Sequence, residues 1–327
     1  MHKIDMNQVK TIVADIVSKI TVDNIAFVGC GASKAELYPG KYFLDHNAEK
    51  LRAYHFTANE FNTDTPAWLD EHTVVITASL GGATPETVKA NSVAKAAGAI
   101  VVSVTHTAGS PLTNEADYVI VHGFEADYAA KLEKMGYVMA LAVELQQQTE
   151  GCPVYEDMLV GFDNIFESAE NSAQSARGAA KAFAVAYKDA PVIYFMSSGA
   201  STEVAYSSSI CLMLEMQWIN SSSFHSGEFF HGPFEIVEKD VPFVLMMNEG
   251  CTRSVDARAL DFLHRFDALT TVIDAKDYGL ANAVPASVTT YFNPLLHTAV
   301  FRVYAEEISY IRQHPLTKRR YMWKLEY

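Results

Sequence analysis

Three scarcities in this chain each exclude a class of protein. Cysteine is rare, with only Cys30, Cys152, Cys211 and Cys251 among 327 residues, far apart and without a C-x-x-C pair. That spacing speaks against a zinc ribbon or a redox motif. Basic residues are few: 25 Lys and Arg stand against 39 Asp and Glu, for a formal net charge of −14. A field of that sign repels nucleic acid and anionic membranes, so neither is expected as a partner. Long apolar runs are also missing. No stretch reaches the roughly 18 uncharged apolar residues of a membrane span. The opening MHKIDMNQVKTIVADIV carries charges where a secretory leader needs an apolar run. A reducing cytoplasmic location is the expectation.

Hydrophobic residues make up 49% of the chain, enough for a sizeable core. At about 100–200 residues per domain, the length suggests two domains. Short runs rich in β-branched residues have the pattern of buried strands: IAFVGCG (25–31), TVVITAS (73–79), AIVVSVT (99–105) and YVIVHG (118–123). Alanine-rich helical stretches such as PETVKANSVAKAAGA (85–99) lie between them. Strands apolar on both faces, alternating with helices, indicate an α/β fold with a parallel, doubly wound sheet. The second half repeats the theme with PVIYFMSSG (191–199), PFVLMMNEG (242–250) and LTTVIDA (269–275). GCGASK at Gly29 and SSGAST at Ser197 share a strand–turn–helix pattern, with Gly31 and Gly199 in equivalent positions 168 residues apart. Two copies of one unit are expected, residues 1–150 and 186–327, joined by a helical linker over 151–185.

Two loops of the first copy suit an anion. In GCGASK, Gly31 lets the backbone come close and Ser33 offers a hydroxyl where a helix begins. In SLGGATPETV, Ser79, Thr84 and Thr87 flank Gly81 and Gly82, and Pro85 and Glu86 suit a first helical turn. Any βα turn needs glycine and a cap, so each loop alone is weak. Neither completes a nucleotide motif: Lys34 stands where a third glycine belongs, and no G-x-x-x-x-G-K-[ST] occurs. Together they favour a phosphate ligand and no nucleotide cofactor.

Glu215 sits in ICLMLEMQWIN, an otherwise apolar helical run. A carboxylate there is costly to bury unless paired, so it is either an exposed or ion-paired group or a base with a raised pKa. The stretch FHSGEFFHGPFEI (224–236) brings His225, Glu228 and His231 together at three-residue spacing. Metal binding would need a continuous helix, which Gly227, Gly232 and Pro233 oppose, and no H-E-x-x-H is present, so no metal is expected. His231 before Gly-Pro suits a proton shuttle projected from a turn. Glu228 could orient the site, act as a second acid/base group or touch substrate. The ending HPLTKRRYMWKLEY (314–327) interleaves Lys318, Arg319, Arg320 and Lys324 with aromatics. A docked tail is expected, with Arg320 and Lys324 as its contacts to the site.

Together, GCGASK, SLGGATPETVKA, SICLMLEMQWI, HSGEFFHGPFEI and the closing HPLTKRRYMWKLEY resemble the SIS (sugar isomerase) domain family, in its bacterial branch of fructosamine-6-phosphate deglycases. The resemblance implies two tandem SIS domains, each a five-stranded parallel sheet flanked by helices, in a homodimer or higher oligomer with shared active sites. It implies that Ser33, Ser79 and Thr84 bind a sugar phosphate. Glu215 would be the acid/base residue, and His231, often from the partner subunit, would assist ring opening. Two positions depart from the pattern of related proteins: Gly81 replaces a usual hydroxyl, and Leu212 stands where the related synthase has a lysine. The implied activity is hydrolysis of a phosphosugar–amine conjugate without a metal or redox cofactor. An aldose–ketose phosphosugar isomerase and a non-catalytic sugar-phosphate sensor are the alternatives.

Overall fold

The apolar runs become parallel strands in a computed structural model that describes residues 2–326. Contacts divide the chain into one unit ending at Glu167 and another beginning at Ser168. The first unit contains α1 (Met6–Lys19), β1 (Asn24–Gly29), α2 (Gly31–Asn47), β2 (Arg52–Thr57), α3 (Ala58–Thr63), β3 (Thr73–Ala78), α4 (Pro85–Ala96), β4 (Ile100–Thr105), β5 (Tyr118–Val121) and α5 (Tyr128–Thr149). Its strands pair in the order β2-β1-β3-β4-β5, all parallel. The central strands β1, β3 and β4 are almost wholly buried, as a sheet covered on both faces requires. Successive side chains alternate between the two faces. Ala26, Val28, Val75 and Val101 pack with Ala58 and Phe61 of α3 and Ala90 and Ala94 of α4. On the other face Phe27, fully buried, lies against Gly40 of α2, where an added Cβ would meet its ring at 2.9 Å and Val138 of α5 at 3.1 Å. Burying a side chain of that size contributes roughly 1.5–3 kcal/mol.

α6 (Tyr155–Ser175) and α7 (Arg177–Tyr187) occupy most of the stretch expected to be a helical linker, and the boundary between the units falls inside α6. The second unit continues with β6 (Val192–Ser197), α8 (Thr202–Ser207), a π-helix (Ser208–Gln217), β7 (Asn220–His225), β8 (Pro242–Met247), α9 (Arg253–Arg265), β9 (Leu269–Asp274), α10 (Leu280–Ala283) and α11 (Thr289–Ile311). The parallel order here is β7-β6-β8-β9. The expectation of five strands in each sheet therefore needs correction, because this one has four. After β9 the chain reads AKDYGLANAVPASV (275–288), turning at Gly279 (φ +72°) into the short α10. It has no strand-length apolar run to match the YVIV of β5.

In both units the strand C-termini lie level. Gly29 of β1 pairs with Thr57 of β2 and Ala78 of β3, and Ser197 of β6 pairs with His225 of β7. The loop after β3 is shaped by Gly82, at φ +65°, where an added Cβ would lie 1.9 Å from Ser110 Oγ. Gly82→Ala should cost about 3 kcal/mol, combining left-handed strain with overpacking. At Gly81 an added methyl meets nothing within 4 Å. Gly81→Ala should therefore stay within about 0.5 kcal/mol of the unaltered protein. Urea unfolding followed by fluorescence checks the contrast.

Candidate active site

The adjacent ends of β1 and β3 each feed a helix, α2 from Gly31 and α4 from Pro85. Strand order reverses between these two strands, the place where doubly wound sheets open a ligand crevice. Gly31 takes a left-handed φ of +53°, which lets the chain turn directly from strand into helix. Neither helix is capped by its own side chain, because Cys30 and Thr84 make no capping hydrogen bond. First-turn N–H groups left in this way are able to take an anion as partner. Ser79 Oγ and Thr84 Oγ1 are 3.0 Å apart, so Thr84 is committed to Ser79 rather than to its helix. Ser33 Oγ accepts a hydrogen bond from Lys134 Nζ at 2.9 Å. Gly81 is exposed at the loop tip. The first-unit residues singled out for phosphate thus lie on two loops from neighbouring strands. Lys134 was not among the expected site residues: it follows Lys131 and Glu133 and precedes the apolar run that begins at Met135, so nothing in the sequence marks it as buried.

In the second unit Glu215 lies on the π-helix, a wide-turned geometry often found at functional sites. The surrounding run is less buried than its composition suggests: Cys211 and Met213 are buried, but Leu214 is 40% exposed. Glu215 Oε1 lies 2.7 Å from Arg319 Nη2, with the two side chains 23% and 8% exposed. Burial pushes the Glu215 carboxyl above its ordinary range, while the charge and hydrogen bond of Arg319 pull it down. An open pocket of ≈ 510 Å³ lies here, lined by Leu214, Glu215, Trp218, Asn220, Arg319, Arg320, Tyr321 and Met322. The tail is docked through Trp218, which is left-handed at φ 56° and carries the Arg320 guanidinium 4.3 Å and Lys318 Nζ 5.1 Å from its ring centre. Gln217 Nε2 also donates to the His314 carbonyl oxygen at 2.8 Å. Arg320 lines the pocket. Lys324 does not, and its Nζ donates instead to the Arg319 carbonyl oxygen at 2.7 Å. Arg319 is thus the tail residue that meets the carboxylate.

The H-G-P turn follows β7. His231 ends a short 3₁₀ turn, Phe229–His231, and Gly232 takes φ +139°, a backbone suited to glycine. The phenylalanines anchor this turn: Phe229 is fully buried, and Phe230 and Phe234 each meet Phe262, with ring centres 5.5 Å and 5.6 Å away. His231 and Glu228 are exposed and do not line the Glu215 pocket. His225 Nδ1 accepts from Gly227 N at 2.9 Å. Among the described residues no group of three or more His, Cys, Asp or Glu side chains is arranged to hold a metal ion.

The second-unit loop after β8 is filled by its own side chains. Asp256, fully buried in the first turn of α9, accepts from Ser226 Oγ at 2.7 Å, Asn248 N at 3.0 Å and Asn248 Nδ2 at 2.9 Å. Burial pushes its carboxyl upward, and these donors oppose the shift.

Removing Arg319 should leave burial unopposed at Glu215. In Arg319→Ala the Glu215 carboxyl should titrate higher than in the unaltered protein, because the guanidinium that favours its charged form is gone. Carbon-13 NMR titration of the labelled carboxyl checks the direction, and an unchanged midpoint would show that the ion pair does not tune it.

A model of the SIS domain family matches residues 20–122 of this chain. Fructosamine deglycase FrlB of Bacillus subtilis (strain 168) is 39% identical over 320 residues, covering 98% of this chain and 97% of that protein. Fructoselysine 6-phosphate deglycase of Escherichia coli O157:H7 is 27% identical, covering 97% of this chain and 90% of that protein. A crystal structure from Salmonella typhimurium LT2, provisionally described as a phosphosugar isomerase, matches with a TM-score of 0.96 at 40% identity, covering 100% of this chain and 98% of that one. Identity at that level over nearly the whole length carries family membership: the chain belongs to the SIS-domain family, in the branch of the fructosamine and fructoselysine 6-phosphate deglycases.

Proposed function

We propose that the protein hydrolyses a 6-phosphorylated sugar–amino acid conjugate to hexose 6-phosphate and the free amino acid. The observation that carries this is the pair of uncapped helix N-termini on β1 and β3, furnished with the hydroxyls of Ser33, Ser79 and Thr84. Such a site takes a phosphate without net positive charge, as an acidic protein must. The names of the related deglycases supply the reaction class. Binding energy from the remote phosphate positions the reacting carbons.

For a 1-amino-ketose, His231 assists ring opening and Glu215 takes the proton from C1, giving an enaminol. Reprotonation at C2 yields an imine between C1 and nitrogen. Water adds to C1, the C–N bond breaks, and the aldehyde and free amine leave. The ion pair with Arg319 keeps Glu215 ionised and oriented, while partial burial keeps it basic. Glu228 lies in the same turn, its carbonyl oxygen accepting from His231 N at 2.9 Å, where it orients the site, serves as a second acid/base group or touches the substrate amine.

His231 is exposed on its own chain and absent from the Glu215 pocket, so the proposed enzyme is a homodimer in which one protomer's His231 serves its partner's Glu215. The proposed organisation is two tandem SIS domains, 1–150 and 186–327, joined by the helical segment 151–185. Gly31 and Gly199, each at φ +53° after the first strand of its unit, support that repeat. Among the described residues none of the four cysteines forms a disulfide, which suits a reducing cytoplasm. Among the described residues no helix is long and apolar enough to cross a membrane.

A panel of phosphorylated sugar–amine conjugates, with hexose 6-phosphate release coupled to a dehydrogenase, tests the activity. Glu215→Gln should lower kcat about 10³-fold. Interconversion of glucose 6-phosphate and fructose 6-phosphate without amine release would replace hydrolysis with isomerisation. Sugar-phosphate binding without turnover of any conjugate would indicate a sensor. Mixing inactive Glu215→Gln and His231→Ala proteins after subunit exchange should restore about a quarter of full activity, because half the dimers are hybrids with one intact site. No recovery in the mixture would place both groups on one chain.

A further inference from the structure

We propose that Lys134 is a positioning residue for the sugar phosphate, acting by holding the Ser33 hydroxyl as a donor. The proposal rests on the phosphate role assigned above to the Ser33 loop. Lys134 is 4% exposed, with buried Leu132 and Met135 beside it on α5. An ammonium placed there is costly unless paired. Glu36 supplies the charge partner, its Oε2 lying 2.6 Å from Lys134 Nζ. Compensation of charge needs nothing more. The second contact, Lys134 Nζ to Ser33 Oγ at 2.9 Å, has a different consequence.

A serine hydroxyl has one proton and two lone pairs. Near the start of a helix it can turn back and donate to a backbone carbonyl three or four residues earlier, which would spend its proton inside the protein. Lys134 can only donate, so Ser33 must accept from it. One lone pair is thereby fixed toward α5, and the hydroxyl is directed away from the ammonium. A hydroxyl that accepts from a cation is polarised and becomes a better donor. An anion arriving at the α2 N-terminus then meets an O–H alongside the first-turn N–H groups.

His122, which feels Lys134, adds no competing charge. Burial first, and Lys134 second, push His122 down to about 3, so its imidazole stays neutral at ordinary pH. Lys134 thus pairs with Glu36 while its ammonium also reaches Ser33. Both partners of Lys134 lie in the first two turns of α2, so the lysine also fixes the end of the helix that the phosphate would meet.

The test is calorimetric titration with glucose 6-phosphate and, in parallel, glucose. Lys134→Met should weaken glucose 6-phosphate binding about tenfold, the low end for a hydrogen bond to a charged group, and leave glucose unaffected. In a Ser33→Ala background the same substitution should change affinity less than about twofold, because the hydroxyl it orients is gone. With a conjugate substrate, KM should rise and kcat at saturation should hold. Since Lys134→Met strands a half-buried carboxylate, Lys134→Met with Glu36→Gln removes both charges and serves if the single variant fails to fold. Unchanged affinity, or an equal loss in the Ser33→Ala background, overturns the proposal. Binding is the readout, so a protein that cleaves no conjugate would overturn the deglycase function while leaving this coupling measurable. An unaltered protein that does not bind glucose 6-phosphate would overturn both.

Discussion

Parallel strand pairing obliges every connection to cross the length of the sheet, because a hairpin cannot join strands that run the same way. All loops that leave strand C-termini therefore gather along one edge. In the first unit the paired ends of β1 and β3 bring two helix N-termini side by side, although more than 50 residues separate Gly31 from Pro85. Gly31, Ser33, Ser79, Gly81 and Thr84 meet through this constraint. Helix packing then refines it: α5 lies on α2, and one buried lysine reaches the α2 N-terminal turns.

The second unit uses the same layout but places a carboxylate on a π-helix. Two opposed effects act on Glu215: partial loss of water favours its neutral form, and Arg319 favours its charged form. The pairing depends on the tail, whose place is set by contacts around Trp218 and Gln217. The charge state of Glu215 is thus coupled to a segment about a hundred residues later in the chain.

Strands that are buried on both faces were legible in the sequence because such burial leaves an unbroken apolar run. The edge strands β2 (RAYHFT) and β7 (NSSSFH) were not, because each is partly exposed and carries polar residues that break the pattern. The fifth strand expected in the second sheet came from the family resemblance, although residues 275–288 contain no run to form it. Glu215 could be singled out by the cost of placing a carboxylate among apolar neighbours. Lys134, close to Lys131 and Glu133, carries no such mark, and only the fold shows that it is buried with Ser33 and Glu36 as partners. Arg319 could not be chosen over Arg320 from spacing, since their orientations depend on how the tail turns. The Gly232-Pro233 turn was legible, because few other pairs accept its backbone.

Asp256 has a consequence for ligand dependence. In the second unit this covalently attached carboxylate already sits in the first turn of α9, with Ser226 and Asn248 as donors. The helix starts of α2 and α4 in the first unit are not capped by the side chains of Cys30 or Thr84, and on the proposed function a bound phosphate serves there. On the proposed function, phosphosugar binding raises the free energy of opening for the structure around α2 and α4 by mass action. Amide exchange there follows metabolite supply, while the α9 region keeps its protection regardless. Resistance to local unfolding, and hence to proteolysis, then becomes conditional in one half of the chain and constitutive in the other.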